Sequence, residues 1–285
     1  MIVNLSIATS GLDMLQNGID RWNDYYQKIL TVLTTSPDVA YPTVWTSMST
    51  ISNYLKVIGI SLSVIFFYVG LTKSTLHFEE LRRPEKFIGV FIRLAIGMGL
   101  VNYGFDLSLI ILQIFQGCIV GITEIVGFGS NGAMTSIPTE IYDLANNLET
   151  GWSLGLYVLC LLGFIAMFGI SLVLFLTVYV RFIKIYIYAA ISPLALASLS
   201  SDETGRPART FIVSYMTVCL QGVIIAIAFI IFSNFVSTGF VIDANASVMA
   251  NLCNYLGFVL IHSLILVTTV RISDQLTKDM IGSGY

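Results

Sequence analysis

Arg93, Asp106 and His262 are ionisable side chains inside long apolar stretches of this chain. A charge at the centre of a bilayer costs at least about 2.5 kcal/mol, so such residues are the first candidates for an ion path or a proton relay. Their positions suit quieter roles. Arg93 stands close to the start of its stretch, where a guanidinium on a long stem can reach the headgroups. Asp106 falls near the outer boundary and is expected to be hydrated. His262 falls mid-stretch, where a neutral imidazole bonded to a neighbouring helix is a simpler reading than a relay. A proton-coupled transporter would also need carboxylates at the midplane, and none is secure here.

Other motifs fail on context. Gly127-Phe-Gly-Ser-Asn-Gly fits the spacing GxGxxG, but that fingerprint needs a preceding strand and a βαβ unit. No Walker A sequence is present, so an ATP-driven motor would have to be a separate protein. His77 and His262 stand on different segments and form no HExxH. Cys118, Cys160, Cys219 and Cys253 lie one in each of four apolar segments, with no CxxC pair, and read as buried free thiols. No catalytic, cofactor-binding or metal-binding residue is expected, no cofactor is implied, and the chain does not read as an enzyme.

The elements that position these residues follow from composition and charge. Hydrophobic residues make up 56% of the chain and charged residues only 11%, against about 25% charged in a soluble domain. That much apolar surface has to be covered by lipid. Between Gly121 and Trp152 stand Glu124, Glu140, Asp143 and Glu149, with no Lys or Arg. The basic residues gather elsewhere: Lys73, Arg82, Arg83, Lys86 and Arg93; then Arg181, Lys184, Arg206 and Arg209; then Arg271 and Lys278. Short loops rich in Lys and Arg stay in the cytoplasm.

A bilayer core of about 30 Å needs roughly 20 apolar residues in a helix. Five spans are expected, at about 45–72, 87–123, 152–180, 211–242 and 244–270, with a cytoplasmic elbow over 181–210. The N-terminus is then outside and the C-terminus cytoplasmic, and the fold is an all-α polytopic membrane protein. Trp45 and Trp152 both fall at the outer interface, where indole rings prefer to sit. The stretch 87–123 is taken as one crossing, because two would put the basic 73–86 segment on the side of the base-free loop. Whether 185–201 is an elbow or an extra span stays open at this level.

Residues 1–44 form an outer region ahead of the membrane domain 45–285. No Lys or Arg precedes Arg21 and no compact apolar core is present, so no cleavable signal peptide is expected. Leu12, Leu15, Ile19, Trp22, Tyr26, Ile29 and Leu33 recur at alternating spacings of three and four, with Asp13, Gln16, Asn17, Asp20, Asp24 and Lys28 on the other face. This is an amphipathic helix with a heptad-like seam. Its acidic polar face argues against anionic lipid and for packing on protein, in cis or on a neighbouring subunit. Leu12, Leu15, Ile19, Trp22 and Tyr26 are the candidate homo-oligomer contacts. Ser136-Ile-Pro-Thr-Glu ahead of Ile141, Leu144 and Leu148 suggests a short outer helix with a capped start.

The most distinctive stretch runs from Val180-Arg-Phe-Ile-Lys through Ala189-Ala-Ile-Ser-Pro-Leu-Ala to Ser201-Asp-Glu-Thr-Gly-Arg-Pro-Ala-Arg. It leaves one span through a basic edge, is expected to break at Pro193, and returns as a polar loop. The next span carries Gln221 in Leu220-Gln-Gly-Val-Ile-Ile. In these features the chain resembles the TrbL-type polytopic inner-membrane subunits of type IV secretion and conjugation systems. The detailed similarity covers about 152–231, and the remainder matches in layout, without the long polar C-terminal extension of many relatives.

The resemblance implies a non-enzymatic subunit of the bacterial cytoplasmic (inner) membrane, forming an oligomeric ring that helps pass DNA or protein outward. Its implied partners are further copies of itself, other secretion subunits including separate ATPases, the lipid bilayer, and in transit the transferred DNA or protein. Arg181, Lys184, Arg206 and Arg209 are the candidate cytoplasmic docking residues. A secondary transporter is the first rival, and it would need a midplane site on broken helices in two related halves; no such repeat is present. The second is a permease subunit of an ATP-driven transporter, whose odd number of spans makes it less attractive.

Overall fold

The computed structural model describes residues 2–75, 84–126, 134, 136–145, 150–201, 203–236, 239–240 and 246–281. It is all-helical among the described residues: α1 (Ile2–Thr34), α2 (Pro37–Ala40), α3 (Pro42–Thr75), α4 (Pro84–Val126), α5 (Thr139–Ala145), α6 (Thr150–Leu196), α7 (Arg206–Val236) and α8 (Val248–Ile281), with a 3-10 turn at Ala197–Ser200. Pro37, Pro42 and Pro84 each open a helix, where the missing N–H costs nothing and φ is already helical. Five helices are long and apolar enough to cross a membrane: Pro42–Thr72, Ile88–Ile125, Gly151–Ser200, Arg206–Val236 and Val248–Ile281.

The bounds differ from the sequence reading most at three helices: α8 runs on to Ile281, past the expected 270, and the other two differences have local causes. Hydrophobicity alone carries the fourth span to 242, but α7 stops at Val236. Gly239 has φ of 74° and its N–H donates to the Val236 carbonyl at 3.1 Å, a left-handed turn that an apolar count through Phe240 does not see. The second difference concerns Pro193. The helix does not break there; α6 runs on to Leu196 as a single helix of 47 residues. A proline leaves the carbonyl four residues earlier without its donor. Here that carbonyl belongs to Ala189, and the Ser192 hydroxyl donates to it at 2.8 Å. The Ser-Pro pair repairs locally what the proline takes away.

The reversal into α7 is held by one side chain. Ser198 Oγ donates to the Ala195 carbonyl (2.9 Å) and accepts from the Ala208 N–H (2.9 Å), satisfying a donor in the first turn of α7. Thr204 Oγ1 donates to the Ser198 carbonyl at 3.0 Å. The region expected to form an elbow over 181–210 is therefore the last four turns of α6, a 3-10 turn and the start of α7.

The chain divides into two compact units. The first comprises 1–34, 119–179 and 224–273. Its core gathers the buried face of α1 with Leu156, Cys160, Met167 and Leu174 of α6, Phe229 and Phe232 of α7, and Leu252, Tyr255 and Val259 of α8. The second comprises 35–118, 180–223 and 274–285. There α3 and the C-terminal part of α6 run in the same direction, with Trp45 beside Tyr186 (ring centroids 6.1 Å), Gly59 against the Pro193 carbonyl and Gly70 against Ser201. Tyr215 Oη donates to the Ser108 carbonyl at 2.7 Å and ties α7 to α4.

Candidate functional site

Sequence alone places Arg181 at the headgroups as part of a docking surface. The structure buries it: the residue is 4% exposed. Its Nε donates to the Val218 carbonyl at 2.9 Å and its Nη2 to the Cys219 carbonyl at 3.3 Å, both in the middle of α7. Its guanidinium also lies 5.6 Å from the centre of the Phe182 ring. It reaches the α7 backbone because residue 222 is glycine; a Cβ there would overlap the guanidinium. Mid-helix carbonyls keep a second lone pair after their helical bond, so they can accept from a planar fork of donors without unwinding. Arg181 thus clamps two helices and is not available for docking.

The other three basic candidates are exposed. Lys184 and Arg209 line one cavity of about 560 Å³ with Tyr188, Thr210, Ser214, Asp274 and Lys278. Arg206 stands in the first turn of α7. Sequence reading did not join Lys278 to this group. The signal for it is the acid–base pair one turn apart, Asp274 and Lys278, whose charged atoms lie 2.7 Å apart.

One pair of expectations is incompatible. Trp45 was assigned by its indole to the outer interface, and Lys184 by its charge to the cytoplasmic headgroups. Trp45 packs on Tyr186, two residues from Lys184, and on Phe105 at 4.7 Å between centroids. Lys184 also precedes Ser201 by roughly 25 Å of helix axis. Positive charge near a span end was read as marking the end itself, whereas α6 continues well past it.

Of the intramembrane polar candidates, Arg93 is half-buried and borders a cavity of about 270 Å³ with Ile92, Ile96 and Leu199. Asp106 is exposed. His262 finds its partner on its own helix: Nδ1 lies 2.7 Å from the Phe258 carbonyl, and the ring stacks on Phe258 at 4.2 Å. A carbonyl only accepts, so Nδ1 carries the proton. Among the described residues, no three His, Cys, Asp or Glu side chains come together at metal-binding spacing.

The proposed oligomer seam is occupied within the chain. Leu12, Leu15, Ile19 and Trp22 are fully buried, and Tyr26 is 1% exposed. Trp22 meets Phe232 at 6.0 Å and Tyr26 meets Phe229 at 4.9 Å. The apolar face of α1 therefore covers the first unit's own core and offers no contact to a neighbour. Sequence spacing found the face but could not tell a cis partner from a trans one. Burial pushes the Tyr26 phenol well above the usual tyrosine range.

The polar face of α1 has work that sequence reading missed. Asn23 pairs in both directions with Met134: Nδ2 donates to its carbonyl (3.1 Å) and Oδ1 accepts from its N–H (2.8 Å). Gln16 Oε1 accepts from the Ile137 N–H at 2.9 Å, while its Nε2 donates to Asp20 at 2.8 Å. Tyr142 Oη lies 3.5 Å from Asp13. Burial raises the Tyr142 pKa, and the neighbouring Asp13 carboxylate adds to the rise. The segment 134–145 is thereby strapped across α1. Position 135 and the Gly127–Gly132 stretch lie outside the described residues.

Helical throughout its described residues, with five helices long and apolar enough to cross a membrane, the chain has the layout of a multi-pass membrane protein. A family model described as TrbL/VirB6 plasmid conjugal transfer like protein matches residues 22–193. The chain belongs to that family. No curated protein and no solved structure matches it.

Proposed function

We propose that this chain is a non-enzymatic channel or scaffold subunit of a type IV secretion machine, set in the bacterial inner membrane with its N-terminus outside and its C-terminus in the cytoplasm. Copies of it form a ring through which, or around which, DNA or protein passes outward, driven by separate ATPases. The observation that carries the reading is the family match over residues 22–193, from within α1 to Pro193 of α6. The base-free 121–152 stretch, against basic residues at 73–86 and 206–209, supports the orientation.

Support for self-association has moved from α1 to α4. Gly117 and Gly121 sit one turn apart, and a Cβ on either would meet nothing within 4 Å. Small residues on an uncovered face let a second helix approach closely in lipid. The test is to delete the coding sequence and complement it while measuring transfer frequency, then to introduce Gly117→Cys in a cysteine-free background. Loss of transfer on deletion and a disulfide-linked dimer with Gly117→Cys are expected. Wild-type transfer after deletion would sink the reading; a monomer only, with transfer lost, would remove the ring and leave the subunit role.

A further inference from the structure

The groove between α6 and α7, closed at one side by the end of α8, has a composition that helix packing does not require. Lys184, Arg209 and Lys278 reach it from three different helices. Among the described lining residues Asp274, 2.7 Å from Lys278, is the one carboxylate, so the lining carries three cations to one anion. Arg209 stands in the first turn of α7 and Lys278 in the last turn of α8. The ends of membrane-crossing helices are where lipid headgroups lie. Thr210 and Ser214, one turn apart on α7, add hydroxyl donors, while Ile187 and Val213 give the groove an apolar wall. Its volume of about 560 Å³ is within the usual range for small-molecule sites, roughly 300–1,000 Å³.

We propose that this groove binds the phosphate headgroup of an anionic phospholipid, with acyl-chain carbon along Ile187 and Val213. Arg offers a fork of donors and Lys a point charge, the two forms of contact that phosphate oxygens take. A free phosphate would leave the apolar wall without use. The bilayer also delivers the lipid at the level of the helix ends, with no need for a soluble ligand to accumulate. The proposal goes beyond the transfer role and depends neither on the cargo nor on the ring.

The test uses the full chain purified in mild detergent and mixed with phosphatidylglycerol or phosphatidylcholine, with bound lipid counted by native mass spectrometry. Phosphatidylglycerol should be retained and phosphatidylcholine should not. Lys184→Gln with Lys278→Gln should weaken retention about 25-fold, at about fivefold for each basic residue near an anionic surface. Asp274→Asn removes the lining carboxylate and should tighten retention, a gain that misfolding does not imitate. Millimolar inorganic phosphate should leave the bound lipid in place. Equal retention of both lipids, an unchanged double variant or weaker binding by Asp274→Asn would overturn the proposal. Displacement of the lipid by phosphate would overturn it too, and would assign the groove to a free anion.

Discussion

The guanidinium of Arg181 occupies the space that a side chain at position 222 would take. The arginine donates to the carbonyls of Val218 and Cys219 one turn earlier on α7, so glycine and arginine form a single interlock between α6 and α7. Taking a charge out of water costs several kcal/mol unless donors and acceptors replace the lost hydration, and backbone carbonyls do that here. The residue's cost is thereby converted into a fixed relation between two helices of the second unit.

Gly222→Ala should therefore lower stability by about 1–3 kcal/mol, the usual cost of forcing atoms into filled space. With Arg181→Ala already present, the same methyl enters vacated space, and its cost should fall below about 0.5 kcal/mol. Unfolding midpoints in mixed detergent micelles measure both. Simple additivity of the two substitutions would show that the positions do not share space.

Ser192→Ala should matter only while Pro193 is present. The serine hydroxyl serves the Ala189 carbonyl that the proline leaves open, so removing it should cost about 1 kcal/mol, the net worth of an ordinary hydrogen bond. In Pro193→Ala the backbone N–H returns and Ser192→Ala should become nearly neutral. The same micelle unfolding assay reads the difference. An equal cost in both backgrounds would mean that the hydroxyl does something other than repair the helix.

What could be read from the sequence was whatever repeats along one element. The apolar face of α1, the five spans and the proline-opened helices all follow from spacing and local chemistry. Contacts between elements distant in sequence were not legible. Nothing in residues 181–184 announces that one base turns inward to α7 while the next lines a groove, because both readings satisfy the same hydropathy. Pro193 misleads for a related reason: a proline ends a helix unless something supplies the missing donor, and here the serine beside it does. The mates of Asn23 and Gln16 lie more than a hundred residues away, beyond the reach of any spacing rule along α1.

Asn23→Asp should loosen the strap over α1. Aspartate still accepts from the Met134 N–H but cannot donate to its carbonyl, and a charge replaces an amide in a half-buried place. Hydrogen exchange followed by mass spectrometry should show faster exchange in peptides covering 134–145, with α6 and α8 unchanged. Unaltered exchange in that segment would mean that Gln16 and Tyr142 hold it alone.

The buried face of α1 gives two predictions of opposite sign. Trp22 is fully buried against Phe232, so Trp22→Ala should cost about 3–5 kcal/mol through lost contacts and the cavity left behind. The damage should appear as a lower unfolding midpoint of the monomer, because the residue faces its own core. Tyr26 differs. Among the described residues its hydroxyl has no hydrogen-bond partner although it is buried, and an unsatisfied buried polar group costs about 1–3 kcal/mol. Tyr26→Phe keeps the ring against Phe229 and removes the hydroxyl, so it should raise the midpoint. The alkaline limb adds a check. With the folded phenol held above its usual range, wild-type stability is untouched by this group below the unfolded tyrosine pKa, about 10, and falls as pH rises from there through the folded value. Tyr26→Phe should remove that residue's share of the alkaline loss. A variant with a lower midpoint at neutral pH would show instead that the hydroxyl is satisfied in the membrane-bound protein, by water or by another chain, and that this end of the α1 face is less dry than its packing implies.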